Sequence, residues 1–162
     1  MTKNVQINIS IDQQSLTVLL DGKQIRTYQV STATNGPGEM MNSECTPRGK
    51  HIIRAKIGEN ADINTVFVGR RDTGERYTPE LRKQFPERDW ILTRIMWLSG
   101  CEPGINRLGD VDTMRRYIYI HGCPDEDEMG KPDSHGCIKM HNDDVVDLFE
   151  MVAPGTHVNI LE

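Results

Sequence analysis

Apolar and polar positions alternate from the first residues of the chain. Val5, Ile7, Ile9 and Ile11 have polar neighbours, and Leu16, Val18 and Leu20 repeat the pattern. A period of two is that of a strand with one buried face. The Asp21-Gly22 pair that follows is the signature of a tight hairpin turn. Ile25, Tyr28 and Val30 continue beyond it with a change of register that a β-bulge accounts for. Residues 31–50 are rich in Ser, Thr, Asn, Gly and Pro, which is loop chemistry, and they close on Thr46-Pro47-Arg48-Gly49. Strands are predicted over 51–57, about 65–69 and 90–98. Residues 99–112 form a Gly-rich loop. Tyr117-Ile118-Tyr119-Ile120 forms a short strand that runs into His121-Gly122.

Between these, residues 70–89 are strongly charged and break the pattern, with a short helix near 79–84. The segment reads as a solvated surface excursion, a lid over a site being the alternative. A polar loop spans 123–133. One clear helix covers about 142–152: Asn142 is placed as N-cap, Asp143 and Asp144 suit the positive end of the helix dipole, and Val145, Leu148, Phe149 and Val152 share a face. Ala153-Pro154-Gly155 stops it before a last strand at 157–161. The sum is a mainly β fold, a sandwich or open barrel with the 142–152 helix packed against it, in a single domain of residues 1–162.

Composition narrows the function classes. Of 162 residues, 27% are charged and 36% hydrophobic, with a net charge of −5, the balance of a water-soluble globular chain. There is no basic stripe for nucleic acid, and no apolar run of membrane-spanning length. The start of the chain enters the strand pattern without the basic, apolar and small-residue regions of an export signal. A cytoplasmic location is the expectation, or a periplasmic one if a signal has been removed. A chain of this length does not need disulfides, so Cys45, Cys101, Cys123 and Cys137 are expected as thiols in a reducing compartment.

Chemistry concentrates in 117–140. A strand delivers His121-Gly122, and after a loop comes Ser134-His135-Gly136-Cys137-Ile138-Lys139-Met140. Acyl transfer by a thiol needs an adjacent imidazole as base, a hydrogen bond that fixes its tautomer, and backbone N–H groups aimed at the oxyanion. A His at a strand end with Gly beside it, and a Cys on a Gly-containing turn, can meet all three needs. By spacing alone a nucleophilic thiol and an inert packing thiol are equally supported. His121, Cys123, His135 and Cys137 also make two His-x-Cys units, but one intervening residue is tighter than structural zinc sites use.

Ser-His-Gly-Cys-Ile-Lys-Met preceded by Ile120-His121-Gly122 resembles the signature of the L,D-transpeptidase (YkuD-type) catalytic domain. The opening hairpin, the Thr-Pro-Arg-Gly turn and the closing helix, Pro-Gly and strand resemble that family in order, and 70–112 is the least typical part. The resemblance implies Cys137 as nucleophile, His121 as general base, and Gly122 as the residue whose carbonyl orients the imidazole. It implies that His135 and Gly136 line the nucleophile's turn, that the N–H groups of Gly136 and Cys137 are oxyanion donors, and that Ser134 buttresses the turn. His135 is expected to fix the loop by hydrogen bonding and not to transfer protons. Lys139 stands where the family more often has Arg, and grips either a substrate carboxylate or a neighbouring loop, more loosely than Arg does. Cys123, Cys45 and Cys101 are expected to be structural. Arg94, Arg107, Arg115 and Arg116 are available for carboxylates, without a ranking.

What the resemblance implies of activity is cysteine-dependent acyl transfer on peptidoglycan stem peptides. The bond is that between the third residue of the stem, typically diaminopimelate, and the D-alanine in its fourth position. No metal or organic cofactor is implied, and acylation of Cys137 by carbapenems is. With a cytoplasmic location the expectation is an L,D-carboxypeptidase that trims tetrapeptide to tripeptide during muropeptide recycling, as in the short signal-less branch of the family. The alternatives are an L,D-transpeptidase forming 3–3 crosslinks or protein attachments in the wall, and a catalytically dead wall-peptide binding module. The oligomeric state is left open.

Overall fold

A computed structural model describes residues 4–162. Ten strands form one sheet, in the order β3-β2-β1-β10-β4-β7-β5-β6, with a branch from β7 to β8 and on to β9. The hairpin predicted at the start is present. β1 (Val5–Ser10) pairs with β2 (Ser15–Leu20) in antiparallel register, Ile7 opposite Val18 and Ile9 opposite Leu16, and all four side chains are buried. Asp21 and Gly22 both have positive φ, 50° and 82°, as a turn matched to strand twist requires. β3 (Lys23–Gln29) then pairs with β2, and its register slips opposite Val18/Leu19, where Ile25 is the extra residue of the expected bulge. The last strand, β10 (His157–Leu161), lies parallel to β1, so both ends of the chain stiffen the same part of the sheet.

β4 (Gly49–Ile57) joins β10 to β7 (Ile91–Gly100). The ten-residue β7 is the hub: it pairs with β4, with β5 (Thr65–Val68), and with β8 (Tyr119–Gly122). β8 carries β9 (Ile138–Met140) in parallel. Beyond β3, isolated bridges link Ser31 to Lys139 and Ala33 to Ser134. They bring the chain back onto β9 without extending a ladder, so the sheet curls into an open barrel and does not close.

The main core fills that curl. Ile7, Leu16, Ile53, Met96, Ile120 and Ile138 belong to it, and α2 (Asn142–Met151) adds Val145, Leu148 and Phe149. Each such side chain contributes roughly 1.5–3 kcal/mol by leaving water. The helix lies where its periodicity placed it, but its cap differs. His141 is the N-cap and makes no side-chain capping bond, while Asn142 is already in the first turn. The Asn142 side chain is drawn inward instead: Oδ1 accepts from Thr93 Oγ1 at 2.6 Å, and Nδ2 donates to Asn64 Oδ1 at 3.0 Å. A buried polar network satisfies the amide better than a solvent-facing cap.

One further expectation is corrected, and two strands appear that the sequence pattern did not announce. The short strand is shifted to 119–122, because Tyr117 has φ of 56° and cannot continue an extended run. Strand β6 (Arg71–Arg76) was hidden because no apolar alternation marks it: it is an edge, and its side chains are mostly exposed. Strand β9 is only three residues long. The 70–89 excursion is also more built than its charge suggests. Helix α1 (Pro79–Gln84) starts at Thr78, whose Oγ1 accepts from the Leu81 N–H at 3.1 Å. Tyr77 and Trp90 pack edge-to-face with centroids 5.2 Å apart, in a small core with Val66 and Leu92.

His51 on β4 gives the fold an acid-labile point. It is fully buried, with Nδ1 against the Gly49 carbonyl at 3.0 Å and Nε2 against Thr113 Oγ1 at 2.9 Å. Burial pushes its pKa down from 6.5 to about 4. The unfolded chain therefore takes up a proton at this position in a window where the folded chain does not. Stability is lost as pH falls from 6.5 to 4, by about 3 kcal/mol from this group once the window is crossed. Urea midpoints measured from pH 7 to pH 4 should fall more steeply for the native chain than for His51→Gln. Parallel slopes would refute the assignment.

Candidate active site

β8 carries His121, and the turn into β9 carries Cys137, the two side chains expected to react. Ile120 is paired with Ile138 and His121 with Lys139 in parallel register. Cys137 directly precedes Ile138, so it falls on the face that carries Tyr119, His121 and Lys139. All four line one cavity of about 510 Å³, together with Arg70, Asp89, Arg116, Ser134 and His135. The sulfur is half-buried against Phe67, Ile95 and Tyr119.

The imidazole is held in one tautomer. His121 Nδ1 lies 2.6 Å from the Gly122 carbonyl oxygen, which can only accept, so Nδ1 carries the proton and Nε2 keeps its lone pair. Gly122 is required at this point by close approach. A Cβ there would come within 2.4 Å of Asn142 Oδ1 and 2.6 Å of the Leu92 carbonyl oxygen. That crowding comes from a bulge in β7 between Leu92 and Ile95, where the buried, β-branched Thr93 holds φ at 74°.

The Cys137 sulfur has backbone partners. It accepts from the Tyr119 N–H at 3.4 Å and lies 3.5 Å from the Tyr117 carbonyl. Among the described hydrogen bonds none joins it to the imidazole. Loss of solvation pushes the thiol up to about 12, against the opposing pull of the Tyr119 N–H and, more weakly, Arg116. Burial also holds His121 below its usual value. Both shifts favour the uncharged form near neutral pH, a thiol at Cys137 and a neutral imidazole at His121.

The turn before Cys137 is tied down by Ser134. Its Oγ donates to the Cys137 carbonyl at 2.6 Å and accepts from the Gly136 N–H at 3.2 Å. Of the two N–H groups expected at an oxyanion, that of Gly136 is thus already engaged. Gly136 has φ of 132°, and a Cβ on it would meet the Cys45 carbonyl oxygen and Ile118 at 3.2 Å, so the turn needs a glycine. His135 is exposed at the cavity mouth. Its ring makes none of the described hydrogen bonds, and the loop-fixing task expected of it falls to Ser134.

Lys139 resolves between its two expected tasks in favour of the loop. Its ammonium, on a residue 8% exposed, lies 3.1 Å from Asp127 and 3.4 Å from Asp133. It thereby pins the 123–133 loop, which Arg82 of α1 grips from the other side through Asp127 at 2.8 Å. The remaining cysteines lie off the cavity. Cys123 is fully buried with Sγ 3.2 Å from the Met140 carbonyl, its thiol pushed up to about 12 by burial. All four thiols are free. With Cys123 turned into the core and His135 out to solvent, the two His-x-Cys units do not converge.

Sequence reasoning did not find Arg70, Asp89 or Tyr119 on the cavity wall, and did not single out Arg116 among the arginines. Arg116 commits its guanidinium to the Cys45 and Gly38 carbonyls and Ser43 Oγ. Arg94 is buried and donates to the Ala61 and Thr93 carbonyls. Arg70 and Asp89 bound the charged 70–89 segment, and that placement was the only local sign of their role.

A family model described as the L,D-transpeptidase catalytic domain matches residues 4–160. The Bacillus subtilis protein YqjB, named an L,D-transpeptidase, is 51% identical over 47 residues, which cover 29% of this chain and 27% of YqjB. YkuD of Bacillus licheniformis, similarly named, is 44% identical over 46 residues, 28% of each chain. Among solved structures, an L,D-transpeptidase from Mycobacterium smegmatis superposes with a TM-score of 0.60 at 20% identity, covering 99% of this chain and 59% of that one. L,D-transpeptidase 3 from Mycobacterium tuberculosis, in complex with a faropenem-derived adduct, gives 0.60 at 18% identity, covering 99% and 61%. These two are likenesses of fold, and the chain spans about 60% of the length of those solved chains.

Proposed function

The chain belongs to the L,D-transpeptidase catalytic-domain family, and from that premise we propose that it is a cysteine acyl-transfer enzyme acting on peptidoglycan stem peptides. The bond cleaved joins the third residue of the stem, a diamino acid such as diaminopimelate, to the D-alanine that follows it. The observation that carries the reading is the placement of Cys137 and His121 on one sheet face in one cavity, with the His121 tautomer set by the Gly122 carbonyl.

The steps follow from that arrangement. His121 Nε2 takes the Sγ proton as sulfur attacks the carbonyl carbon of the third stem residue. Negative charge develops on the carbonyl oxygen, and of the two expected donors the Cys137 N–H is the one not committed to Ser134. The C–N bond then breaks, the imidazolium gives its proton to the leaving amine of D-alanine, and a thioester on Cys137 remains. We propose water as the acceptor: His121 removes its proton, and hydrolysis releases tripeptide and restores the thiol. The charged wall of Arg70, Asp89, Arg116 and Lys139 favours a hydrated cavity, which supports this choice. The location that suits it is the cytoplasm, where recycled muropeptides are at hand.

A second reading, with an amine acceptor and 3–3 crosslinks or protein attachments as products, draws on the neighbouring groove. A cavity of about 300 Å³ shares Asp89, His135 and Lys139 with the first and offers a second peptide a route toward the sulfur. Incubation with disaccharide tetrapeptide and mass analysis decides between them. Loss of one alanine supports hydrolysis, and crosslinked dimers support transfer. Unchanged substrate would overturn both, and is the result expected of a wall-peptide binding module.

A further inference from the structure

Arg70 stands out among the charged residues of the cavity. It sits in the two-residue turn between β5 and β6, where Gly69 and Arg70 have φ of 56° and 64°. Such turns favour Gly, Asn or Asp, because positive φ crowds a side chain with a Cβ. An arginine held there carries backbone strain, and strain of this kind collects at functional sites. Its guanidinium is also held in place. It stacks 4.4 Å over the Trp97 ring and 5.2 Å from the Tyr117 ring, and Nη1 donates to Tyr119 Oη at 2.9 Å.

That single hydrogen bond leaves most of its donors unused. Among the described residues no carboxylate lies within ion-pair distance of Arg70, whereas Arg48, Arg76, Arg82 and Arg88 each have at least one. Tyr119 connects it to the reacting sulfur: the side-chain oxygen receives Arg70, and the backbone N–H of the same residue donates to Cys137 Sγ. A fixed guanidinium with free, forked donors beside a nucleophile is built to receive a planar anion.

We propose that Arg70, supported by Tyr119 and Trp97, is a carboxylate-binding subsite of the catalytic cavity, so that efficient turnover requires an acid on the acyl donor. The inference rests on the reading of Cys137 as nucleophile and adds to it the substrate feature that is recognised. Two carboxylates of a tetrapeptide flank the bond that is cleaved: the C-terminal one on the leaving residue, and the one on the side chain of the third residue.

The test compares three donors: the tetrapeptide, its C-terminal amide, and the amide of its third-residue side chain. The native chain should prefer the free acid over one of the two amides by about 10- to 100-fold in kcat/KM, the scale of a charge-assisted hydrogen bond. In Arg70→Gln that ratio should collapse toward one, and Arg70→Lys should restore part of it. Whichever amide is discriminated against identifies the source of the carboxylate. Equal losses on all three donors, or an unchanged ratio, would overturn the proposal. Calorimetric binding of the same donors to Cys137→Ala and to Cys137→Ala/Arg70→Gln reads the subsite without turnover. There the acid should bind more tightly than the discriminated amide only when Arg70 is present. Equal affinities of acid and both amides for Cys137→Ala would sink it. Absence of turnover in the native chain, with acid selectivity intact in binding, would instead count against the nucleophile reading alone.

Discussion

Cys137→Ala should lower turnover of disaccharide tetrapeptide by at least about 10⁴-fold, the scale on which removal of a nucleophile acts when binding is left intact. In the proposed mechanism the sulfur forms the intermediate, and the nearest other thiol in sequence, Cys123, is buried and faces the Met140 carbonyl. It cannot substitute. The fold should tolerate the change. Cys137 is half-buried at the edge of the Phe67, Ile95 and Tyr119 cluster, and loss of one sulfur there should cost about 1 kcal/mol. Product formation by mass and a thermal melt on the same sample separate the two effects. Residual activity within about tenfold of the native chain would remove Cys137 from the mechanism. Mass analysis after exposure to a carbapenem adds a second reading, with an adduct expected on the native chain and none on the variant.

His121→Gln should lower kcat by roughly 10²- to 10⁴-fold, the range for loss of a positioned general base. Its pH behaviour is the more discriminating part. The thiol is pushed up to about 12, and the imidazole is held below its ordinary value. At pH 7 neither group is charged, so no thiolate–imidazolium pair is stored in the free enzyme. Alkylation of Cys137 by iodoacetamide should therefore climb about tenfold per pH unit from 7 toward 11, because the thiolate fraction does. A plateau already reached near pH 6 would show a preformed ion pair and refute this account. Turnover should fail on the acid side only below pH 6.5, as His121 gains a proton. His121→Gln should lack that acid limb while keeping the slow, alkaline-rising alkylation.

The nucleophile's protonation also gives the Ser134 turn a purpose. Ser134 Oγ joins the Cys137 carbonyl to the Gly136 N–H, which keeps the backbone before the sulfur in a conformation only Gly136 can adopt. A rigid turn holds Sγ in place while the proton leaves, so little reorganisation is needed at the moment of attack. On the other side of the imidazole, the Thr93–Asn142 contact at 2.6 Å packs against Gly122, whose carbonyl sets the tautomer.

Much of this molecule is written locally along the chain. The alternation of Ile7, Ile9, Leu16 and Val18, the Asp21-Gly22 turn, the helical stripe of Val145, Leu148 and Phe149, and the spacing of His121-Gly122 from Ser134-His135-Gly136-Cys137 are short-range patterns. Backbone sterics and one-sided burial turn such patterns into elements almost regardless of what surrounds them. What only the tertiary structure decided depends on partners far apart in sequence. Arg70 meets Tyr119 across 49 residues, as does Thr93 with Asn142, and the latter contact takes Asn142 away from the capping role its position suggested. Lys139 chose the carboxylates of the 123–133 loop over a substrate, and β6 formed with no apolar pattern to announce it. The reason is the same in each case: a polar group taken from water must find a partner, and which partner is in reach is settled by how the strands stack, not by its neighbours in the chain.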